Sequence, residues 1–359
     1  MNNLWKILEE DGITIASTLP ITLFEEKTII VTGATGLLGT HILSSLWVIK
    51  TVHKIPLKVF AIGFNDYPIH QEKIFSTEGF NFLRGDLTIE SFCEKLPNAD
   101  FIIHCATYGQ PGLFLENPVK TIHLNTATTL FLFKKLLPSG RFLFLSSSEI
   151  YSGSTEFPYK ETTIGNTTPL HPRACYIESK RTGEAIINSY RQKGVHASSA
   201  RLALAYGPGT KRNDKRVLNS FIERAIIGTI QLADNGEAKR TYCYVTDAVE
   251  ILMKILMNGK EPVYNVGGHS EITIADLAKM IGRVTGSTII FPEQNVSLNG
   301  APSEVVLDLS LSEKEFSKIK YVSLHEGLIR TIDWQRSLYS HRNQSTKNIY
   351  EYIKENTSV

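Results

Sequence analysis

The chain has 359 residues, 42% hydrophobic and 21% charged, with a net charge of +2 at neutral pH. That length supports a large core divided between two lobes, and the balance excludes a disordered polymer and gives no reason to expect nucleic acid or an anionic membrane as partner. Four scattered cysteines (Cys93, Cys105, Cys175, Cys243), with no C-x-x-C and no clustered histidines, point to reduced thiols in a cytoplasmic protein rather than to disulfides or a metal site.

In chain order, residues 1–26 read as an N-terminal helix and loop interrupted by Pro20. Lys27 to Thr32 is a short run rich in β-branched residues and predicts a strand. The glycine-rich turn from Gly33 to Gly39 follows at once, then a helical pattern through Trp47. Further strands are predicted at 58–63, 80–84, 100–106, 141–147 and 196–202, with helices at 117–137 and 173–193 between them. Strands alternating with helices predict a Rossmann-type α/β fold, a doubly wound parallel sheet spanning 27–205. Beyond Tyr206-Gly207-Pro208 the alternation weakens. Helices at 217–228, 246–258, 273–285 and 324–340, with short strands near 239–245, 262–266 and 288–291, predict a smaller mixed α/β substrate lobe over 206–340. Residues 341–359 read as a polar tail.

Gly33, Gly36 and Gly39 form G-x-x-G-x-x-G between a strand and a helix, the context in which such a turn holds a dinucleotide pyrophosphate. NAD proteins usually carry an acid for the adenosine ribose about 20 positions later. Here the second strand ends Ala61-Ile62-Gly63-Phe64-Asn65-Asp66, so only Asn65 or Asp66 stands nearby. No arginine follows to receive a 2′-phosphate, so NAD is expected, with NADP left open. Asp86 reads either as an adenine contact or as a helix cap.

Downstream, Tyr176 precedes Lys180 by four residues, which places both on one helix face. A phenol beside an ammonium is expected to ionise more readily and to serve as base toward a sugar or alcohol hydroxyl. His104 and Cys105 end an apolar strand and read as packing residues. The cluster Lys211, Arg212, Lys215 and Arg216 reads as a solvated loop unless it binds phosphate.

These features resemble the extended short-chain dehydrogenase/reductase family that modifies nucleotide-diphosphate sugars. The resemblance runs over about 27–340 and rests on Asn117-Pro118-Val119-Lys120-Thr121 with Asn125, on Ser146-Ser147-Ser148-Glu149-Ile150-Tyr151, on Pro172-Arg173-Ala174-Cys175-Tyr176 with Lys180, on Asn213 to Val217, and on Arg240 to Asp247. Within the family the nearest likeness is to UDP-glucuronate decarboxylases, with 4-epimerases and 4,6-dehydratases as alternatives and a dinucleotide-binding scaffold without turnover as an alternative of another class. The resemblance implies Tyr176 as base, Lys180 as its electrostatic partner, Ser147 beside the sugar C4 oxygen and Glu149 beside C5. It implies cofactor contacts from Gly33, Thr35, Gly36, Leu37, Leu38, Gly39, Asp86, Leu87, Ala106 and Lys180. Substrate contacts are implied for Tyr108, Ser148, Arg173, Arg216 and Arg240. A UDP-sugar as substrate and a homodimer formed through the helices at 117–137 and 173–193 are likewise implied.

Two departures stand out. Leu204 replaces an asparagine of the family's R-x-F-N-x-Y-G-P, and Val305-Val306-Leu307-Asp308 replaces its R-R-P-D. A serine at 148, where dehydratases carry an aspartate, argues against loss of water. The lost arginines point to a different nucleotide sugar or to weaker turnover.

Overall fold

The computed structural model describes residues 2–293 and 305–340; the expected tail at 341–359 lies outside the described residues. The strands are β1 (Lys27–Thr32), β2 (Leu57–Gly63), β3 (Phe80–Arg84), β4 (Ala99–His104), β5 (Leu136–Ser147), β6 (His196–Leu202), β7 (Leu204–Tyr206), β8 (Thr229–Gln231), β9 (Lys239–Tyr244), β10 (Val263–Val266), β11 (Ser270–Thr273) and β12 (Thr288–Ile290). The helices are α1 (Asn2–Ala16), α2 (Leu37–Thr51), α3 (Glu72–Phe75), α4 (Glu90–Glu94), α5 (Pro111–Glu116), α6 (Pro118–Asn125), α7 (Ala127–Phe133), α8 (Ala174–Gln192), α9 (Val217–Ile227), α10 (Val245–Asn258), α11 (Ile274–Thr285), α12 (Ser310–Phe316) and α13 (Leu324–Ser340).

Seven strands form one parallel sheet in the order β10-β6-β5-β4-β1-β2-β3. The order reverses between β1 and β4, and in open α/β sheets ligands bind at the carboxyl ends of the strands beside such a reversal. The sheet is buried on both faces because its strands alternate. Ile29, Val31, Val59, Ala61, Ile103, Leu143 and Leu145 pack toward α2 and α10 in one core cluster. Ile30, Ile62, Ile102, Phe142 and Phe144 pack in a second cluster with Leu132 and Phe133 of α7 and Ile187 of α8. This is the doubly wound architecture expected.

Two expectations are corrected. The single helix over 117–137 is two helices broken at Thr126, whose φ −117° and ψ −81° leave the helical region. Residues 136 and 137 already belong to β5, where Pro138 favours extended backbone before it. The strand expected near 262–266 in the smaller lobe instead closes the edge of the large sheet, pairing Val263 with Ser199 and Val266 with Leu202. The chain therefore leaves the sheet after β6 for β7, β8 and β9, returns through β10, and then adds β11 and β12, which complete the sheet β11-β9-β7 and the pair β12-β8.

The N-terminal helix α1 lies along α2 and against α13. Its Asp11 accepts from Arg330 Nη2 of α13 at 2.7 Å and bonds His41 Nε2 of α2 at 3.1 Å. Among the described residues no helix is long and apolar enough to cross a membrane.

Candidate active site

The glycine turn forms because β1 runs straight into α2. Gly33 has φ +66°, which costs a residue with a side chain, and a Cβ on it would lie 2.8 Å from the Cys105 carbonyl carbon. Gly39 lets α2 close down on the turn: a Cβ there would lie 2.4 Å from the Gly33 oxygen and 2.7 Å from the Ala34 Cα. Gly36 caps α2 without a side-chain bond, so the first helical N–H groups, those of Leu37 and Leu38, face the turn. Thr35 is buried beside them. Gly39→Ala is expected to weaken dinucleotide binding about tenfold or more and to lower stability by about 1–3 kcal/mol through overpacking. Titration calorimetry with NAD and a melting curve check both.

The end of β4 is held against this turn by a buried chain of hydrogen bonds. His104 Nε2 lies 2.9 Å from the Leu124 carbonyl and so donates to it. Its Nδ1 then accepts from Thr32 Oγ1 at 2.8 Å, and Thr32 Oγ1 accepts from the Ala106 N–H at 3.1 Å. Burial pushes the His104 pKa down to about 3, which keeps the ring neutral and this pattern intact. Histidine packing was expected here. Its role in fixing the Ala106 backbone depends on contacts with β1 and α6 that no local pattern shows. Tyr108 follows in the same loop, half-buried against the second core cluster.

Asp86 is occupied within the protein. Its Oδ1 accepts from the Thr88 N–H and hydroxyl at 3.0 and 2.7 Å, and its Oδ2 accepts from Lys120 at 2.7 Å. Burial works against its charge, but these bonds outweigh it and hold the carboxyl below its ordinary range. Leu87 turns into the core. One cation of the basic cluster read as a solvated loop comes to the cofactor turn instead. Lys211, beyond β7, donates to Thr35 Oγ1 at 3.3 Å, which brings an ammonium to the glycine turn.

Tyr176 and Lys180 leave α8 toward the end of β5. Tyr176 is buried and stacks on Phe114 of α5, with centroids 4.7 Å apart and planes 13° apart. Ser147, the last residue of β5, lies near enough to the Tyr176 hydroxyl to pull the phenol's pKa down, and Ser147 Oγ accepts the Glu149 N–H at 3.2 Å. Lys180 donates to the Leu145 carbonyl at 2.5 Å, and its Nζ lies 5.8 Å from the centre of the Tyr176 ring. The expected direction of the phenol's shift is reversed. Burial pushes Tyr176 up to about 12, against the lowering influence of Ser147, Arg173 and Arg216. Burial also pulls Lys180 down to about 7. Both side chains share a dry site, and burial is not visible in a four-residue spacing.

Ser148 and Glu149 open the short 3₁₀ turn Ser148–Tyr151 after β5. Glu149 Oε1 accepts from Arg173 Nη2 at 2.7 Å, while its Oε2 is buried with no partner. Burial raises the Glu149 pKa, with Arg173, His171 and Arg240 pulling the other way. Arg216 is bound to Asp214 through Nε at 3.0 and 3.1 Å, and its charge reaches Tyr176 and Tyr242. Arg240, on β9, senses Tyr242 and Glu149. The structure therefore gathers Ser147, Glu149, Arg173 and Tyr176 into one cluster, with Lys180 beneath it and Arg216 and Arg240 within electrostatic reach. Val305–Asp308 is taken up structurally: Val306 and Asp308 exchange backbone bonds with Tyr159 at 2.9 and 2.8 Å.

The glycine turn, its open helix terminus and the Tyr-Lys pair fit a nicotinamide dinucleotide, since backbone approaches closely where a pyrophosphate needs it. Comparison with known proteins agrees. The profile of the NAD dependent epimerase/dehydratase family matches residues 29–267. UDP-glucuronic acid decarboxylase 1 of Arabidopsis thaliana is 32% identical over 309 residues, covering 85% of this chain and 68% of its own length. UDP-glucuronic acid decarboxylase 6 of the same plant is 30% identical over 307 residues, covering 84% and 86%. Among solved structures, the Thermotoga maritima UDP-glucose 4-epimerase superposes with a TM-score of 0.75 at 22% identity, covering 87% of this chain and 99% of its own. The Streptomyces venezuelae dTDP-glucose 4,6-dehydratase DesIV, solved with NAD, gives 0.74 at 21% identity, covering 88% and 98%. The chain belongs to the NAD dependent epimerase/dehydratase family, and it is an NAD-dependent enzyme acting on nucleotide sugars.

Proposed function

We propose that the protein decarboxylates UDP-glucuronate through a transient 4-keto sugar. The observation that carries this reading is the Glu149–Arg173 pair beside Tyr176, with one carboxylate oxygen left unpartnered in a buried site. Arg173 pairs with that carboxylate and Arg240 lies within its electrostatic reach, while Arg216 is held by Asp214 near Tyr176, cations suited to a diphosphate and a sugar acid together.

NAD, when bound, supplies the acceptor that takes a hydride from C4 and later returns it. Tyr176 accepts the C4 hydroxyl proton, and Ser147 holds that oxygen in line with the phenol. The sugar carboxylate is then β to a ketone, so the C5–C6 bond breaks, carbon dioxide leaves and the electron pair is delocalised as an enolate. Glu149, whose pKa burial raises, delivers a proton to C5, and Tyr176 returns its proton to the C4 oxygen. Lys180 supplies positive charge next to the phenol and holds the nicotinamide ribose. Dehydration is disfavoured because Ser148 stands where an acid for the departing water is needed.

The substrate assignment is tested by incubating the protein with UDP-glucuronate, UDP-glucose and dTDP-glucose and weighing the products. Loss of carbon dioxide from UDP-glucuronate is expected. Loss of water, or an isomer of unchanged mass, assigns dehydration or epimerisation instead, and no product from any donor assigns a scaffold. Glu149→Gln is expected to slow product formation about 10²–10⁴-fold, the range of general acid catalysis, while a 4-keto species accumulates. A melting point that falls with no ketone detected would reduce Glu149 to a structural role.

We further propose a cytoplasmic homodimer. Val119, Ile122 and Leu130 on α6 and α7 are exposed apolar residues, which supports pairing of these helices and α8 with a second copy.

A further inference from the structure

No arginine follows β2 in the chain, but the sheet brings one there. In the β2–β3 pairing Gly63 stands opposite Arg84. The last residue of β3 thus arrives beside the place where NAD-binding sheets carry an acid for the adenosine ribose. That acid has no room at this position: a Cβ on Gly63 would lie 2.7 Å from Cζ and 2.9 Å from Cε2 of Phe82. The next carboxylate along the chain, Asp66, is already engaged by Arg84 Nη1 at 3.2 and 3.0 Å. Asp86, the other acid at this edge, is filled by Thr88 and Lys120. Lys120 also sets its ammonium 4.0 Å from the centre of the Phe64 ring, directly after Gly63.

NAD sites reject NADP because a fixed carboxylate repels the 2′-phosphate and prefers two ribose hydroxyls. Here the last residue of β2 carries no carboxylate, and the nearby Asp66 is paired with a guanidinium. The Arg84–Asp66 pair is exposed, with 60% and 77% of the two side chains open to solvent, and exposed pairs are held weakly. A phosphate presents more charge and a better-matched fork of oxygens to a guanidinium than one carboxylate does.

We propose that the adenosine end of this cofactor site accepts a 2′-phosphate, with Arg84 exchanging Asp66 for it, so that NADP binds alongside NAD. The inference rests on the dinucleotide site of the family and extends it to a second cofactor that the sequence alone left open.

Titrating the full chain with NADH and NADPH, each followed by nicotinamide fluorescence without sugar substrate, tests it. NADPH is expected to bind within about tenfold of NADH. Arg84→Ala is expected to weaken NADPH about tenfold or more, the scale of one lost charge-assisted bond, and to leave NADH within about twofold. A larger preference for NADH in the unmodified protein overturns the proposal, as does an Arg84→Ala variant that affects both nucleotides alike. A protein that binds neither overturns it together with the dinucleotide assignment itself, whereas tight NADH binding with NADPH excluded overturns only the inference.

Discussion

Replacing Tyr176 with phenylalanine is expected to leave dinucleotide affinity within about twofold and to cut turnover about 10²–10⁴-fold, the contribution of a positioned general base. The stacked contact with Phe114, 4.7 Å between centroids, does not involve the hydroxyl, so the ring keeps its place in the variant. What is lost is the phenolic proton acceptor beside Ser147. This phenol is pushed up to about 12 and stays protonated through the neutral range. The site must therefore gain positive charge before Tyr176 serves as base. Lys180, pulled down to about 7 by burial, is the protein's own source of that charge, and oxidised NAD carries another. Rapid mixing with nucleotide sugar, followed by the absorbance of reduced nicotinamide, separates binding from chemistry. Unchanged reduction in the variant would remove the phenol from the reaction.

Arg201→Ala is expected to lower stability by about 3–5 kcal/mol, the cost of leaving a buried partner charge uncompensated. Arg201, on β6, reaches both oxygens of Glu184 through Nε at 3.0 and 3.2 Å and one of them through Nη2 at 2.7 Å. Its Nη1 donates to Tyr151 Oη at 2.8 Å and to the Glu161 carbonyl at 2.7 Å. Tyr151 passes the bond on to Asn265 of β10 at 2.7 Å, and Ser146 of β5 donates to Glu184 at 2.5 Å. One ion pair thus ties α8, the strand that ends in Ser147, the 3₁₀ turn carrying Glu149 and the returning edge strand. Chemical denaturation reads the loss as a shift in midpoint. Replacing both partners, Arg201→Met with Glu184→Leu, is expected to recover much of the stability, because no buried charge is then stranded. A double variant as unstable as the single one would show that the network is held by its other hydrogen bonds.

Much of the fold was legible because the strands are short, rich in β-branched residues and punctuated by glycine turns. The strand from Lys27 into Gly33-x-x-Gly36-x-x-Gly39 carried the cofactor assignment, and Tyr176 with Lys180 carried the reaction. The break at Thr126 was hidden by a continuous run of helix-compatible residues from Asn117 to Leu137. The return of β10 was hidden because edge pairing with β6 is a tertiary event. The site was less legible wherever its contacts cross elements: Lys120 on Asp86, Lys211 on Thr35, Arg84 beside Gly63, and the Glu184–Arg201 pair. The direction of the Tyr176 shift was misread for the same reason, since spacing reports which face a residue occupies and not how dry that face becomes.

On the proposed reaction, C4 of the sugar is oxidised and then re-reduced around Tyr176. UDP-glucuronate carrying deuterium at C4 tests it most directly, with the product weighed and its label located. Loss of carbon dioxide with the deuterium returned to C4 of the pentose is expected. A decarboxylated product that has exchanged this label for solvent hydrogen, or a donor recovered with its carboxylate intact, would contradict it.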